Sequence, residues 1–147
     1  MRKSKSIFFS ILVVRALIAI LFISAFFIPL ISKAYVEISN SPTDISVQIT
    51  IGLYFLELPA MATMVALHLL LTNIKKGNVF VKKNTTFLTA IFIGLILVGV
   101  ICAFMAPISW AFGFTAISFL FVALILLVLR NVFDYAVAIK EENDFTI

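Results

Sequence analysis

Cysteine and histidine are nearly missing from this chain of 147 residues, which has one of each. A lone Cys102 excludes a disulfide framework and a metal–thiolate site, and a lone His68 excludes a pair of histidine ligands. Glycine is also sparse, at five residues, and none forms a glycine-rich phosphate loop. No serine or cysteine stands in a nucleophile motif with a base to activate it. The chain therefore offers no catalytic residue, no metal ligand set and no cofactor site, and an enzyme is not expected. Charged side chains make up only 12% of the sequence, too few to coat a water-soluble surface.

What fills the space is hydrocarbon. Hydrophobic residues account for 63% of the chain, the mean hydropathy is +1.22, and four apolar stretches run over residues 7–32, 45–74, 86–107 and 109–139. Crossing a bilayer takes about 20 helical residues, so each stretch is long enough. The spacing predicts an all-α integral membrane protein. It has four transmembrane helices in one bundle, a single domain over residues 1–147, and a short tail over 140–147. The lysines and arginines set its orientation. Arg2, Lys3 and Lys5 precede the first span, Lys75, Lys76, Lys82 and Lys83 fill the second connection, and the outer connection has Lys33 against Glu37 and Asp44. The positive-inside rule places both termini and the 75–84 loop in the cytoplasm. The N-terminus imitates a signal peptide, with Ser32-Lys33-Ala34 as a small-x-small site. Its apolar run is too long for a signal core and is broken by Arg15, so it reads as a retained helix.

Ionisable groups inside the spans each cost at least about 2.5–3.5 kcal/mol on insertion scales, so each needs a partner or a wet cavity. Arg15 lies in the inner part of the first span and Glu57 in the middle or outer half of the second. By residue counting their depths differ, so either the helices slide in register, or Arg15 snorkels toward lipid phosphate and Glu57 stays protonated. Pro59 beside Glu57 kinks the second span and frees a carbonyl, as at many ligand and ion sites. With His68 these residues form the candidate intramembrane polar site. Its alternative is a structural carboxyl satisfied by a neighbouring helix. Arg130 and Asp134 read as an i,i+4 ion pair at the inner end of the fourth span. Small residues mark helix contacts in lipid. In the third span, Ala90 with Gly94 and Gly99 with Ala103 point to opposite sides, which predicts a central helix with different neighbours at its two ends. The sixteen phenylalanines scatter over all spans as filling and lipid contact, and Cys102 reads as a small apolar filler.

The inner connection places Val79, Phe80 and Val81 between two lysine pairs and reads as a segment on the headgroup surface. Asn84-Thr85-Thr86 matches the glycosylation pattern, but its expected use is to cap the third helix. After the fourth span comes an acidic ending with Glu141, Glu142, Asn143, Asp144, Phe145 and Ile147. It reads as a frayed end, as a segment docked on the four lysines, or as a docking peptide for a partner. The candidate partner-binding residues are thus Lys75, Lys76, Phe80, Lys82 and Lys83 with those six.

The loop Lys76-Gly77-Asn78-Val79-Phe80, then Asn84, and the ending Glu142-Asn143-Asp144-Phe145-Thr146-Ile147 resemble the bacterial family catalogued as domain of unknown function 2975, the YoaS-like small membrane proteins. The resemblance covers essentially the whole chain, with Phe145 where leucine is commoner. It implies a neighbouring small helix-turn-helix regulator as partner and defines no catalytic residue. The expected function is a non-enzymatic regulatory or interaction protein that sequesters such a regulator at the cytoplasmic face, without binding nucleic acid itself. Its other partners are the lipid bilayer and, as an open question, further copies of itself. The alternatives are a small proton-coupled transporter using Glu57, or a resistance or immunity protein acting through the outer connection near residues 35–44.

Overall fold

A computed structural model describes the backbone of residues 2–39 and 43–145, and side chains over 5–39 and 43–143. Four helices follow in order: α1 (Arg2–Ser39), α2 (Ser46–Lys75), α3 (Lys82–Met105) and α4 (Trp110–Phe145). Among the described residues there is no strand. All four are long and apolar enough to cross a membrane, the make-up of a multi-pass membrane protein. Helix is the form these stretches must take in lipid, because every peptide group then finds its partner within its own segment. Phe26, Phe55, Phe104, Phe121 and many other large apolar side chains lie exposed around the outside. In water so continuous an apolar surface would be an aggregation site.

The helices outrun the apolar stretches. α1 has 38 residues and α4 has 36, whereas a bilayer needs about 20, so both project beyond the hydrocarbon. α3 opens at Lys82 rather than at Thr86 and closes at Met105. Residues 106–109 then turn the chain, with the Ile108 amide donating to the Met105 carbonyl at 2.9 Å. So short a link makes α3 and α4 antiparallel neighbours.

Packing follows chain order. Cα approaches within 8 Å join α1 to α2, α2 to α3 and α3 to α4, and no other pair among the described residues. The compact bundle expected from the small-residue stripes is thus replaced by an open row, curled so that all four helices line one hollow. The central place of α3 holds. An added Cβ on Gly94 would overlap Thr63 of α2, and one on Gly99 would stand 3.0 Å from Leu120 of α4. The alanines of the two stripes do not share these contacts, since Ala90 and Ala103 are exposed. In the half of the helices nearer the 76–81 connection, termed inner below, Ala66, Leu70, Leu88 and Ile91 form a packed core, with Leu126 and Phe133 of α4 against it.

Candidate functional site

The α1–α2 contact is held by polar groups that fix its register. Ser32 and Thr50 share a hydrogen bond between hydroxyls. Seven residues inward on α2, Glu57 Oε1 accepts from Ser24 Oγ at 3.3 Å. At the inner end Lys75 Nζ lies 5.3 Å from the centre of the Phe8 ring. Ser24 follows Arg15 by nine positions, roughly 13 Å along a helix. Arg15 is exposed on the outside of α1, and it does not neutralise Glu57. The unequal depths read from the sequence therefore decide the matter, and Ser24 is the partner that residue counting did not identify.

Prolines inside α1 and α2 explain two more contacts. Pro29 has no amide hydrogen, which leaves the carbonyl four residues earlier, on Ala25, without its helical donor. Tyr54 Oη donates to that carbonyl at 3.2 Å. Pro59 lies inside α2 at the level of α3's Gly94, and its own carbonyl accepts from Thr63 Oγ1 at 2.7 Å. Glu57 and Pro59 thus lie on the stretch of α2 that meets α1 on one side and α3 on the other.

Glu57 lines a hollow of about 350 Å³ that draws on every helix: Ser24 and Ile28 of α1, Ala60 of α2, Val98 and Cys102 of α3, Thr115 and Phe119 of α4. Its walls are apolar apart from Glu57, Ser24 and Thr115. The Ser24 hydroxyl has one proton and two acceptors, the Leu21 carbonyl at 2.8 Å and Glu57 at 3.3 Å. The two acceptors share that proton, and a carboxyl group that accepts one hydroxyl still has lone pairs free, so Glu57 keeps acceptor capacity toward the hollow. A carboxyl group in an apolar, half-enclosed space suits a small ligand with a hydrocarbon body and one hydrogen-bond donor or cationic group. Val98 and Cys102 of its wall belong to a packed cluster with Ala116, and a separate core of Ala66, Leu70, Leu88 and Ile91 lies farther along α2 and α3 toward their 76–81 connection.

His68 stands apart from this hollow. It is half-buried on α2, its Nδ1 lacks a hydrogen-bond partner, and its carbonyl accepts from Thr72. The predicted site thus divides: Glu57 and Pro59 belong together, while Arg15 and His68 lie nearer the inner end. Among the described residues no three His, Cys, Asp or Glu side chains gather as a metal site.

At the inner end Gly77 adopts φ +85°. Its amide donates to Ile74 O at 3.0 Å and that of Asn78 to Asn73 O at 3.2 Å, the Schellman closure that favours glycine. Asn84 does not cap α3, contrary to expectation: Val81 takes that place without a side-chain cap, and Asn84 sits inside the first turn. Fully buried, it donates to the Asn78 and Val79 carbonyls, each at 2.7 Å, and accepts from Asn73 Nδ2 at 3.1 Å. The connection is therefore a closed knot seated on α4, where Phe80 meets Phe133 at 5.8 Å between ring centres. Lys75 and Lys83 lie over Phe8 and Phe87, while Lys76 and Lys82 are exposed.

The acidic ending is helical through Phe145, so it is neither frayed over that range nor an extended peptide. Glu141 lies seven residues past Asp134, roughly 10 Å farther along α4, and Glu141, Glu142 and Asn143 are exposed. The side chains of Asp144 and Phe145, and all of Ile147, lie outside the described residues, as do residues 40–42 of the outer connection. On this projecting part Tyr135 and Ile139 are 75% and 59% exposed and lie four residues apart, on one face. Sequence reading placed both residues at the end of the fourth span, just before the acidic run.

A family model described as Protein of unknown function (DUF2975) matches residues 12–147. The chain belongs to that family. No curated protein and no solved structure matches it.

Proposed function

We propose that this member of the DUF2975 family is a non-enzymatic membrane regulator that holds a cytoplasmic protein on the projecting end of α4. The observation that carries this reading is the helical extension past Asp134, which presents Tyr135 and Ile139 on one face beside a charged ending. An amphipathic helix of this kind is a common docking element, laying its apolar anchors into a partner's groove. The excess of lysine around the 75–84 connection supports an orientation with this end and the N-terminus in the cytoplasm of a bacterial plasma membrane. The family resemblance nominates a small helix-turn-helix regulator as the cargo. The hollow at Glu57 supplies the place where a small ligand or a change in the bilayer would alter the hold.

The test is a pull-down from native membranes of the full chain, the Tyr135→Ala/Ile139→Ala variant, and a chain lacking residues 143–147. A helix-turn-helix protein recovered with the full chain and lost with the double variant supports the reading. Equal recovery with all three refutes a role for this end of α4.

A second reading, a small proton-coupled transporter, draws on the carboxyl of Glu57 facing the hollow. The packed core of Ala66, Leu70, Leu88 and Ile91 farther along α2 and α3 weighs against a through-path. Proton-dependent flux in vesicles that disappears in Glu57→Gln would favour transport instead.

A further inference from the structure

A second polar recess lies between α3 and α4, outside the hollow, at the end of the helices that carries Lys82. It encloses about 430 Å³ and is lined by Lys82, Thr85, Thr86 and Thr89 at one end, Ala90 and Ile93 at the other, with Arg130 and Asp134 across from them. Three features point to a ligand.

Threonines inside helices ordinarily return the hydroxyl to a carbonyl one turn back. Thr86 and Thr89 do so, to Lys82 O at 3.3 Å and Thr85 O at 2.9 Å. Thr85, only 5% exposed, has a buried hydroxyl with no partner. An unmet hydroxyl in a buried setting is costly unless something fills it. Arg130 repeats the pattern: its Nε is buried without a hydrogen bond and stands 3.5 Å from Asp134 Oδ2, in an ion pair that leaves donors to spare. Lys82 and Arg130 against Asp134 leave one net positive charge in the recess. Val81 caps α3 without a side chain, so the first free amides add positive potential there.

The third feature is the apolar continuation. The recess shares Thr86 and Ala90 with a groove of about 600 Å³ on the α2–α3 surface, where Leu58, Val65 and Leu69 stand along α2. A free phosphate has no use for such a groove. A molecule with an anionic head and a long acyl chain fits both parts, because Lys82 to Ala90 spans roughly 12 Å, from headgroup to hydrocarbon depth.

We propose that α3 and α4 form a specific site for an anionic phospholipid. Its phosphodiester sits between Lys82, Arg130 and Thr85, and an acyl chain lies in the groove past Ala90. Asp134 accepts from headgroup hydroxyls, which favours a glycerol headgroup over a choline one. Basic recesses between transmembrane helices at the headgroup level bind lipid heads in this way. The site does not depend on the proposed function.

The experiment is native mass spectrometry of the detergent-solubilised full chain, titrated separately with phosphatidylglycerol, with phosphatidylcholine of the same acyl chains, and with inorganic phosphate. Phosphatidylglycerol should be retained in preference to the other two. Lys82→Gln/Arg130→Gln should weaken it about tenfold or more, and Thr85→Val about fivefold. Ala90→Trp, at an exposed position, should block the chain's path and strip the lipid. The last two variants keep the question decidable if the charge variant does not fold, which helical circular dichroism will show. Equal retention of phosphatidylcholine, displacement of lipid by inorganic phosphate at equal concentration, or wild-type retention in the folded variants overturns the assignment.

Discussion

Replacing Gly94 with alanine adds one methyl group at the tightest approach of α2 and α3. That methyl would overlap Thr63 Oγ1, stand 3.2 Å from Thr63 Cβ, and reach 3.4 Å from the Pro59 carbonyl oxygen. Thr63 cannot step aside freely, because it is buried and its hydroxyl is bonded to Pro59 O at 2.7 Å. Either that bond breaks or the helices part. Overpacking of this kind costs about 2–3 kcal/mol, offset by about 1 kcal/mol for the conformational freedom that glycine loses on folding. The net expectation is a loss of about 1–2 kcal/mol. Thr63→Ala alone loses one hydrogen bond and leaves a small void, about 1 kcal/mol. In the double variant the obstructing hydroxyl is gone, and the new methyl meets the Cβ of residue 63 at 3.2 Å and the Pro59 carbonyl oxygen at 3.4 Å. Gly94→Ala should then cost little more, so the two changes couple favourably by about 1–2 kcal/mol. Reversible unfolding in bicelles measures all four corners of the cycle. Additivity within about 0.5 kcal/mol would refute the argument, and a Gly94→Ala protein more stable than the parent would show that the helices are not this close.

Three further expectations follow from named contacts. Asn84→Ala should cost about 1–2 kcal/mol rather than three full hydrogen bonds, because the Asn78 carbonyl lies at an exposed residue that water can serve; Asn84→Asp should cost more, since a carboxylate would face the two carbonyls, and thermal unfolding in detergent ranks the three proteins. Tyr54→Phe leaves the Ala25 carbonyl unpaired below Pro29 and should lower stability by about 0.5–1.5 kcal/mol in bicelles; no change would show that another donor serves it. Hydrogen bonds from the Ser46 side chain and amide hold Asp44 below the ordinary carboxylate range. A depressed value stabilises the start of α2 above the unfolded pKa of about 3.9 and withdraws that support as pH falls through the lower folded value. The Ser46 amide resonance should shift in that acid window and stay flat in Asp44→Asn.

The number of helices and their apolar length were legible because both depend on runs of residue type, which lipid reads without ambiguity. Depth was legible in part: counting along α1 and α2 showed that Arg15 and Glu57 differ in depth but left open whether they pair, and in the structure Glu57 meets Ser24. Partner identity was not. Ser24, Tyr54 and Thr50 look like ordinary residues until the rotation of each helix is known, and small changes in crossing angle reassign every contact. One signal was present and unused: the position four before Pro29 names Ala25 as the carbonyl in need, so a nearby hydroxyl was to be expected. Asn84 misled for a related reason. Its residue type favours a cap, but α3 begins two residues earlier, where Lys82 and Lys83 extend the helix beyond the apolar pattern. The small-residue stripes indicated different neighbours for Gly94 and Gly99, without naming them, and they could not say that α1 meets α2 alone, since closure of a ring depends on contacts that leave no period in sequence.

That open arrangement gives the hollow its mechanical position. α1 and α4 form facing walls of the hollow but share no close backbone approach, each being held by its own inner neighbour. A ligand between them acts on their separation directly. Farther in, Leu126 and Phe133 fix α4 against the packed core, and beyond that point the helix continues to Phe145. A change of tilt set at Phe112 and Phe119 would therefore be carried through a fixed middle to the exposed Tyr135 and Ile139. A ligand shifts such an equilibrium only by its differential affinity for the two tilts. About 1.4 kcal/mol changes the ratio tenfold, and a typical hydrogen bond is worth about 0.5–1.5 kcal/mol. Under the proposed function, one contact with Glu57 that is made in one tilt and lost in the other would change the hold on a partner severalfold.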